Sequence, residues 1–151
     1  MGSTYNSQCM PVVLRGGAIV WDKMNDGSDQ SGAEIAYCSL NERVDVVRFM
    51  WRGMMQGVGV GSLRQQGDKA LNEKRIHPTQ KPVKLYEWLL QRYAQMGMRI
   101  LDTHLGSGSL AIAAHYFGVD LVGCEIDADY WRAAKQRYEN ETRQMTLGFQ
   151  A

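Results

Sequence analysis

The clearest structural pattern of this 151-residue chain lies in Ile100–Asp127, ILDTHLGSGSLAIAAHYFGVDLVGCEID. It predicts a short strand ending at Asp102, a glycine turn, and an Ala-rich helix from Leu110 to Phe117. Gly118 stands where a left-handed residue commonly ends a helix. A second strand is predicted from Asp120 to Cys124. Two parallel strands joined by a helix form a right-handed βαβ unit.

Chemistry-bearing residues fall at the carboxyl ends of these two strands, where parallel sheets bind their ligands. The turn Gly106–Ser109 lets a ligand approach the backbone closely and opens a helix N-terminus. Glu125 follows Gly106 by 19 residues, near the spacing of about 20 expected for an acid that binds ribose hydroxyls. The unit therefore indicates a nucleoside-containing cofactor, with a plain βαβ core unit as the alternative. Because Gly106-x-Gly108-x-x-Ala111 also fits the dinucleotide pattern, these residues do not separate NAD from S-adenosylmethionine.

The composition is that of one ordinary globular domain, with 44% apolar and 22% charged residues. A formal net charge of +1 excludes a global basic field, so contact with nucleic acid requires a local patch. Residues 64–92 offer one, with seven Lys or Arg against three acids, although a solvated surface is the simpler explanation. No transmembrane run, signal peptide or metal-ligand spacing is visible, and Cys9, Cys38 and Cys124 are scattered. We therefore expect a cytoplasmic protein with reduced thiols.

Before the central unit, the pattern predicts three strands, at Gly17–Trp21, Ala33–Leu40 and Val44–Trp51. Gly53–Arg75 is rich in glycine and then polar, and is predicted to be a flexible loop. The expected organisation is thus a single domain: strands in residues 1–52, this loop in 53–75, the cofactor-binding half in 76–142 and a tail in 143–151.

A second informative stretch is IHPTQKPV at Ile76–Val83. Pro82 suits the first turn of a helix that is predicted to run to about Met96. The stretch is either a rigid loop before that helix or a ligand site in which Thr79 and Lys81 meet a carboxylate. After the central unit, Asp127 is the expected N-cap of a helix that reaches about Thr142.

The series HPTQKP, a helix, ILDTHLGSGS and GCEID resembles the DNA amino-methyltransferases that modify adenine N6 or cytosine N4. The order is similar to the subgroup whose cofactor motifs lie C-terminal to the catalytic half, and the resemblance covers roughly 17–138. It implies an α/β fold, a three-layer Rossmann-like methyltransferase with a mostly parallel sheet that lacks strands on one side. It also implies S-adenosylmethionine rather than NAD, because dinucleotide enzymes have no reason for an HPTQKP element there.

The resemblance further implies a role for individual residues. Glu125 would hold the ribose hydroxyls, and Ile126 would lie against the adenine, although a plain core position is the alternative for Ile126. Thr79 would receive the methionine carboxylate. Gly53–Arg75 stands where the family has its target-recognition segment. The implied cofactor-binding set is His77, Pro78, Thr79, Lys81, Asp102, Leu105, Gly106, Ser107, Gly108, Glu125 and Ile126.

One family element is absent. These enzymes carry a catalytic (D/N/S)PP(Y/F/W) loop, whereas the prolines here are Pro11, Pro78 and Pro82. The chain therefore resembles an N-terminally truncated member, and no catalytic residue is assigned. It is either the cofactor-binding part of a DNA methyltransferase or a non-catalytic remnant that binds S-adenosylmethionine, DNA or a partner.

Expected partners are double-stranded DNA and, on the incomplete side of the sheet, a second copy or a complementing chain. The sequence at Gln144–Phe149, QMTLGF, resembles peptides that dock on the bacterial sliding clamp, with an ordinary frayed tail as the alternative. The DNA recognition sequence and the choice between adenine and cytosine stay open.

Overall fold

The computed structural model describes residues 16–52 and 54–146, with side chains described as far as residue 143. The chain divides into two compact units, the first ending at Asn72 and the second beginning at Glu73. Among the described residues, no helix is both long enough and apolar enough to cross a membrane.

The first unit is built on three strands, β1 (Gly17–Asp22), β2 (Ala33–Cys38) and β3 (Val44–Arg48), in the order β2-β1-β3. Strand β1 runs antiparallel to β2 and parallel to β3. Trp21 and Phe49 are buried beside this sheet, and the Trp21 indole N–H donates to the Phe49 carbonyl at 3.1 Å. The three predicted strands are thus present.

The strand predicted to reach Trp51 ends at Arg48. A separate antiparallel hairpin follows, with β4 at Trp51–Arg52 and β5 at Met55–Gln56. The backbone of Gly57 bridges to Gln65, and a 3₁₀ turn forms at Lys69–Leu71. This part of the predicted loop therefore carries backbone pairing that its glycine-rich composition did not indicate.

The second unit contains the predicted βαβ arrangement. It comprises α1 (Val83–Tyr93), β6 (Arg99–Asp102), α2 (Ser109–Phe117), β7 (Asp120–Gly123) and α3 (Ala128–Thr146). Strands β6 and β7 are parallel, with α2 as the connection between them.

Small side chains on α2 form the core of this unit. Ala113 and Ala114 are buried together with Leu90 of α1 and Val119, and Ile100 and Leu121 of the two strands pack against them. Because alanine adds little bulk, α1 packs closely on α2.

The predicted helix ends are correct at two places and shifted at two. Gly118 has φ +83° and its N–H donates to the Ala114 carbonyl at 2.9 Å, as predicted. The Asp127 carboxylate caps α3 by accepting the N–H groups of Asp129 and Tyr130. Helix α1 ends at Tyr93, short of Met96, because Ala94 adopts an extended conformation.

Helix α3 continues to Thr146, past the predicted end near Thr142. Gln144, Met145 and Thr146 of the clamp-like peptide therefore belong to this helix, and Leu147–Phe149 lie outside the described residues. Docking on a sliding clamp stays a prediction.

Candidate functional site

The glycine turn between β6 and α2 depends on two left-handed residues, Gly106 with φ +55° and Gly108 with φ +73°. A Cβ on Gly106 would lie 3.8 Å from the His104 carbonyl oxygen and 3.9 Å from the His77 ring, which are ordinary contact distances. A Cβ on Gly108 would lie 3.2 Å from the Ala134 Cβ, tighter than ordinary contact. Gly106 is therefore required for its left-handed backbone, and Gly108 also lets the start of α2 pack closely on α3.

Asp102 and Glu125 lie on either side of this turn, as predicted. The Asp102 carbonyl accepts the Cys124 N–H at 2.8 Å, and the Cys124 carbonyl accepts the Leu105 N–H at 2.8 Å. These bonds continue the pairing of β6 with β7 past the strand ends. One Asp102 carboxylate oxygen accepts the His104 N–H at 3.0 Å. Asp102, the turn and Glu125 thus share one edge of the sheet.

The Glu125 carboxylate is held by backbone N–H groups. Gly106 donates to one oxygen at 2.8 Å, and Asp127 donates to the other at 3.1 Å. The hydrogen bond from Asp127, followed by that from Gly106, lowers the pKa of Glu125 below its usual value of 4.5. The ionised carboxylate keeps acceptor capacity on both oxygens, because each has two lone pairs. It is suited to accept a pair of ligand hydroxyls.

The HPTQKP segment lies against the same turn. The His77 ring packs on Tyr130 of α3, with ring centroids 4.3 Å apart, and lies 3.9 Å from the position that a Gly106 Cβ would take. The Thr79 N–H donates to His77 Nδ1 at 3.2 Å, and Thr79 Oγ1 lies 3.1 Å from the same atom. Pro78 and Thr79 are exposed, and Lys81 is half-buried on this segment. The structure therefore brings two stretches together that are separate in sequence.

Two apolar members of the predicted set differ in their surroundings. Ile126 is fully exposed, at 101% of its reference area, so the alternative of a core position is wrong. Leu105 is half-buried, and its side chain lies 2.9 Å from the position that a Gly123 Cβ would take. An exposed isoleucine next to Glu125 offers an apolar surface to a flat ligand group.

Sequence reasoning missed the residues that hold these segments in place. Gln80 is buried, its side-chain oxygen accepts the Ile76 N–H at 2.9 Å, and its amide donates to the Lys74 carbonyl at 3.1 Å. The available sequence signal for a structural role of Gln80 was its position between Pro78 and Pro82. Arg137 is also buried and bonds to the glycine turn. Its signal was a cation about one helical turn after Ala134, on the helix predicted to follow Asp127.

A cavity of about 540 Å³ lies between α2, β7 and α3, and Leu105 and Gly108 of the predicted set line part of it. Its lining includes Ala111, Val119, Trp131, Lys135 and Tyr138. His77, Asp102 and Glu125 do not line it, so the cavity meets the predicted set at the glycine turn and does not include the Glu125 carboxylate.

Comparison with known proteins agrees with this arrangement. The sequence model of the DNA methylase family N6_N4_Mtase matches residues 20–136, more than half of the chain. The type II methyltransferase M2.DpnII of Streptococcus pneumoniae is 33% identical over 87 residues, which cover 58% of this chain and 31% of that protein. The type II methyltransferase M.HpaI of Haemophilus parainfluenzae is 34% identical over 68 residues, which cover 45% and 22%. The chain thus spans about a third or less of the length of these curated relatives.

Two solved structures share the fold. The complex of M1.HpyAVI with SAM superposes with a TM-score of 0.53 at 23% identity, covering 80% of this chain and 60% of that one. A putative DNA modification methylase from Thermus thermophilus, complexed with S-adenosyl-L-methionine, gives a TM-score of 0.50 at 20% identity, covering 85% and 53%. The Rossmann-like α/β fold predicted from the sequence is therefore confirmed. With the family model matched across both compact units, the chain belongs to the DNA methylase family N6_N4_Mtase.

Proposed function

We propose that this chain binds S-adenosylmethionine at the edge formed by Asp102, the glycine turn and Glu125. It would thereby form the cofactor-binding part of a DNA methyltransferase that acts on adenine N6 or cytosine N4. The observation that carries the proposal is the Glu125 carboxylate, which the backbone N–H groups of Gly106 and Asp127 hold at 2.8 and 3.1 Å beside the glycine turn.

The chemistry of the donor set fits the cofactor. The two Glu125 oxygens have lone pairs left for the ribose hydroxyls, and exposed Ile126 offers an apolar surface for the adenine. The segment His77–Lys81 lies against the glycine turn and presents an exposed hydroxyl, that of Thr79, for the methionine carboxylate. The bound cofactor supplies an electrophilic methyl group on a sulfonium, and these residues of the chain bind and orient it.

Transfer to DNA needs a further element. The amino group of adenine or cytosine is a poor nucleophile, because its lone pair is delocalised into the ring. In the DNA amino-methyltransferases that the sequence resembles, the loop with the Pro-Pro pair binds this amino group of the flipped base. The present sequence contains no Pro-Pro pair. The proposal therefore assigns cofactor binding to this chain, with double-stranded DNA and a complementing segment or chain as partners, and assigns no catalytic residue.

Calorimetric titration of S-adenosylmethionine tests the cofactor site. We expect saturable binding by the wild-type chain and binding about 10- to 100-fold weaker in Glu125→Ala, because hydrogen bonds to a charged group contribute about 1.5–3 kcal/mol. Glu125→Gln keeps one acceptor for the backbone N–H groups and is expected to lie between the two. Glu139→Ala removes a half-buried carboxylate of α3 that pairs with Arg143, and it serves as the matched control. Equal affinities for all four proteins would refute the assignment.

The absence of a Pro-Pro pair also favours a second candidate, a non-catalytic protein that binds the cofactor or DNA. The same proteins, given labelled S-adenosylmethionine and mixed duplex DNA, separate the two. Label on DNA that disappears in Glu125→Ala would support the methyltransferase. The assay is then repeated with a second protein added, a family member that contains the Pro-Pro loop but is inactivated in its own cofactor site. Cofactor binding without label transfer in both assays would support the non-catalytic alternative.

A further inference from the structure

A buried arginine connects three segments around the candidate site. Arg137 on α3 is only 8% exposed, and its guanidinium has three acceptors. Nη1 donates to the Ser107 carbonyl at 3.0 Å and to the Ser109 hydroxyl at 2.8 Å. Nη2 donates to the Glu73 carboxylate at 2.9 Å. One side chain thus binds the glycine turn with one nitrogen and the residue before the HPTQKP segment with the other.

Glu73 in turn closes the loop that carries HPTQKP. Its second carboxylate oxygen accepts the N–H of Val83, the first residue of α1, at 2.9 Å. Pro82, which precedes that helix, provides no side-chain cap, so Glu73 satisfies an N–H that the helix leaves without a partner. Residues 74–82, with His77, Thr79 and Lys81 among them, lie between the two ends of this contact. Gln80 fixes the interior of the same loop.

The bond to the turn acts where the backbone is least constrained. Ser107 lies between Gly106 and Gly108, and glycine permits many conformations that other residues do not. A guanidinium on the Ser107 carbonyl fixes the orientation of the peptide that follows it, and the bond to Ser109 fixes the first residue of α2. A planar guanidinium suits this task, because its donors are rigidly spaced and always charged.

We propose that Arg137 and Glu73 are positioning residues of the cofactor site, which set the glycine turn and the HPTQKP loop at the separation that one S-adenosylmethionine molecule requires. This inference rests on the proposed function, since it takes both segments to bind the same ligand. Neither residue contacts the ligand directly. Each positions a backbone segment, the glycine turn or the HPTQKP loop, that lines the ligand site.

The test compares two ligands, S-adenosylmethionine and 5′-methylthioadenosine, which lacks the amino-acid part. Glu73→Gln keeps the bonds from Arg137 to the glycine turn but has one acceptor oxygen for two donors, Val83 and Arg137. We expect S-adenosylmethionine to bind about 10-fold more weakly to Glu73→Gln, and 5′-methylthioadenosine to change less than about 3-fold. Arg137→Lys cannot bridge both segments and is expected to weaken both ligands, because it also releases the turn.

A purely structural role predicts a different pattern. Urea unfolding would then show lost stability in both variants, while folded protein kept wild-type affinity for both ligands. That pattern, or an equal loss for the two ligands in Glu73→Gln, would overturn the proposal. If Glu73→Gln and Arg137→Lys do not fold, Ser109→Ala removes a single acceptor and is expected to weaken S-adenosylmethionine about 2- to 10-fold. Unchanged affinity there would also overturn it.

The control is Glu139→Gln, which alters a half-buried carboxylate that pairs with Arg143 on the same helix as Arg137. Its affinity for both ligands is expected to match the wild type. A wild-type chain that binds neither ligand would refute the proposed function itself. Wild-type binding that none of the variants changes would refute only the positioning role.

Discussion

Two glutamates of the second unit, Glu125 and Glu73, both accept backbone N–H groups, but they differ in burial and in their charged neighbours. Glu125 accepts hydrogen bonds from the N–H groups of Gly106 and Asp127, at the edge where the carboxyl ends of β6 and β7 meet. Glu73 accepts the N–H of Val83 but is mostly buried and paired with Arg137. Hydrogen bonds lower the pKa of Glu125, whereas burial raises the pKa of Glu73 despite the neighbouring Arg137. The difference separates the carboxylate proposed to bind a ligand from a carboxylate that pairs with Arg137 inside the fold.

The difference also shows what each carboxylate can contribute. Glu125 is ionised at little cost and keeps free acceptor positions, so its binding energy is available to ligand hydroxyls. Glu73 is desolvated, and its attraction to Arg137 must offset that penalty before the pair stabilises anything. Buried pairs of this kind are more convincing as devices that specify geometry than as sources of stability.

Breaking the buried pair is the largest change that the comparison predicts. Arg137→Met leaves the Glu73 carboxylate buried without its cation, and we expect the free energy of unfolding to fall by about 3–5 kcal/mol. Urea unfolding followed by circular dichroism measures it. Arg132→Met, which removes an exposed arginine from the same helix, is expected to change stability by less than about 0.5 kcal/mol. Similar losses in both variants would show that the buried pair has no special role.

The pH dependence of stability sharpens the same contrast, because the two pKa shifts have opposite signs. Glu125, with a lowered pKa, stabilises the fold above its usual value of 4.5, and this contribution is lost as the pH falls through its folded pKa. Glu73, with a raised pKa, contributes most below 4.5 and loses that contribution as the pH rises through its folded pKa.

Urea unfolding at several pH values between about 3 and 7 measures the free energy of unfolding of the wild type, Glu125→Gln and Glu73→Gln. As the pH falls, the stability advantage of the wild type over Glu125→Gln should shrink. Over the same range, the stability of the wild type relative to Glu73→Gln should rise. Parallel trends in the two variants would contradict the assigned shifts.

Signals within short stretches of sequence explain why the elements around the glycine turn and Glu125 could be predicted. Gly118 and Asp127 end and begin helices through contacts with residues no more than four positions away, and each was predicted correctly. Glu125 was found by its distance from Gly106, because a βαβ unit of ordinary length fixes that spacing. Ile126 could not be decided, since exposure depends on what lies above the strand end.

The buried pair was not predictable by the same means. Glu73 and Arg137 are 64 residues apart, and neither belongs to a motif whose spacing implies a contact. A charged residue on the buried face of α3 was the sole hint, and its partner emerges only when the loop before α1 meets the glycine turn. The early end of α1 at Tyr93 was not predictable either, since the segment after it makes a distant contact in which the Gly97 N–H donates to the Gly118 carbonyl at 2.9 Å.

The smallest expected effect on stability belongs to Ile126, the most exposed side chain of the open edge. Ile126→Ser should change the free energy of unfolding by less than about 0.5 kcal/mol, because its side chain is fully exposed. If the adenine lies on it, affinity for S-adenosylmethionine should fall about 3- to 10-fold, as expected for losing part of an apolar contact. Leu40→Ser, which alters an exposed leucine of the first unit, is the control and should change neither quantity. A stability loss above about 1 kcal/mol would mean that Ile126 packs within the protein, and unchanged affinity would place the adenine elsewhere along the edge.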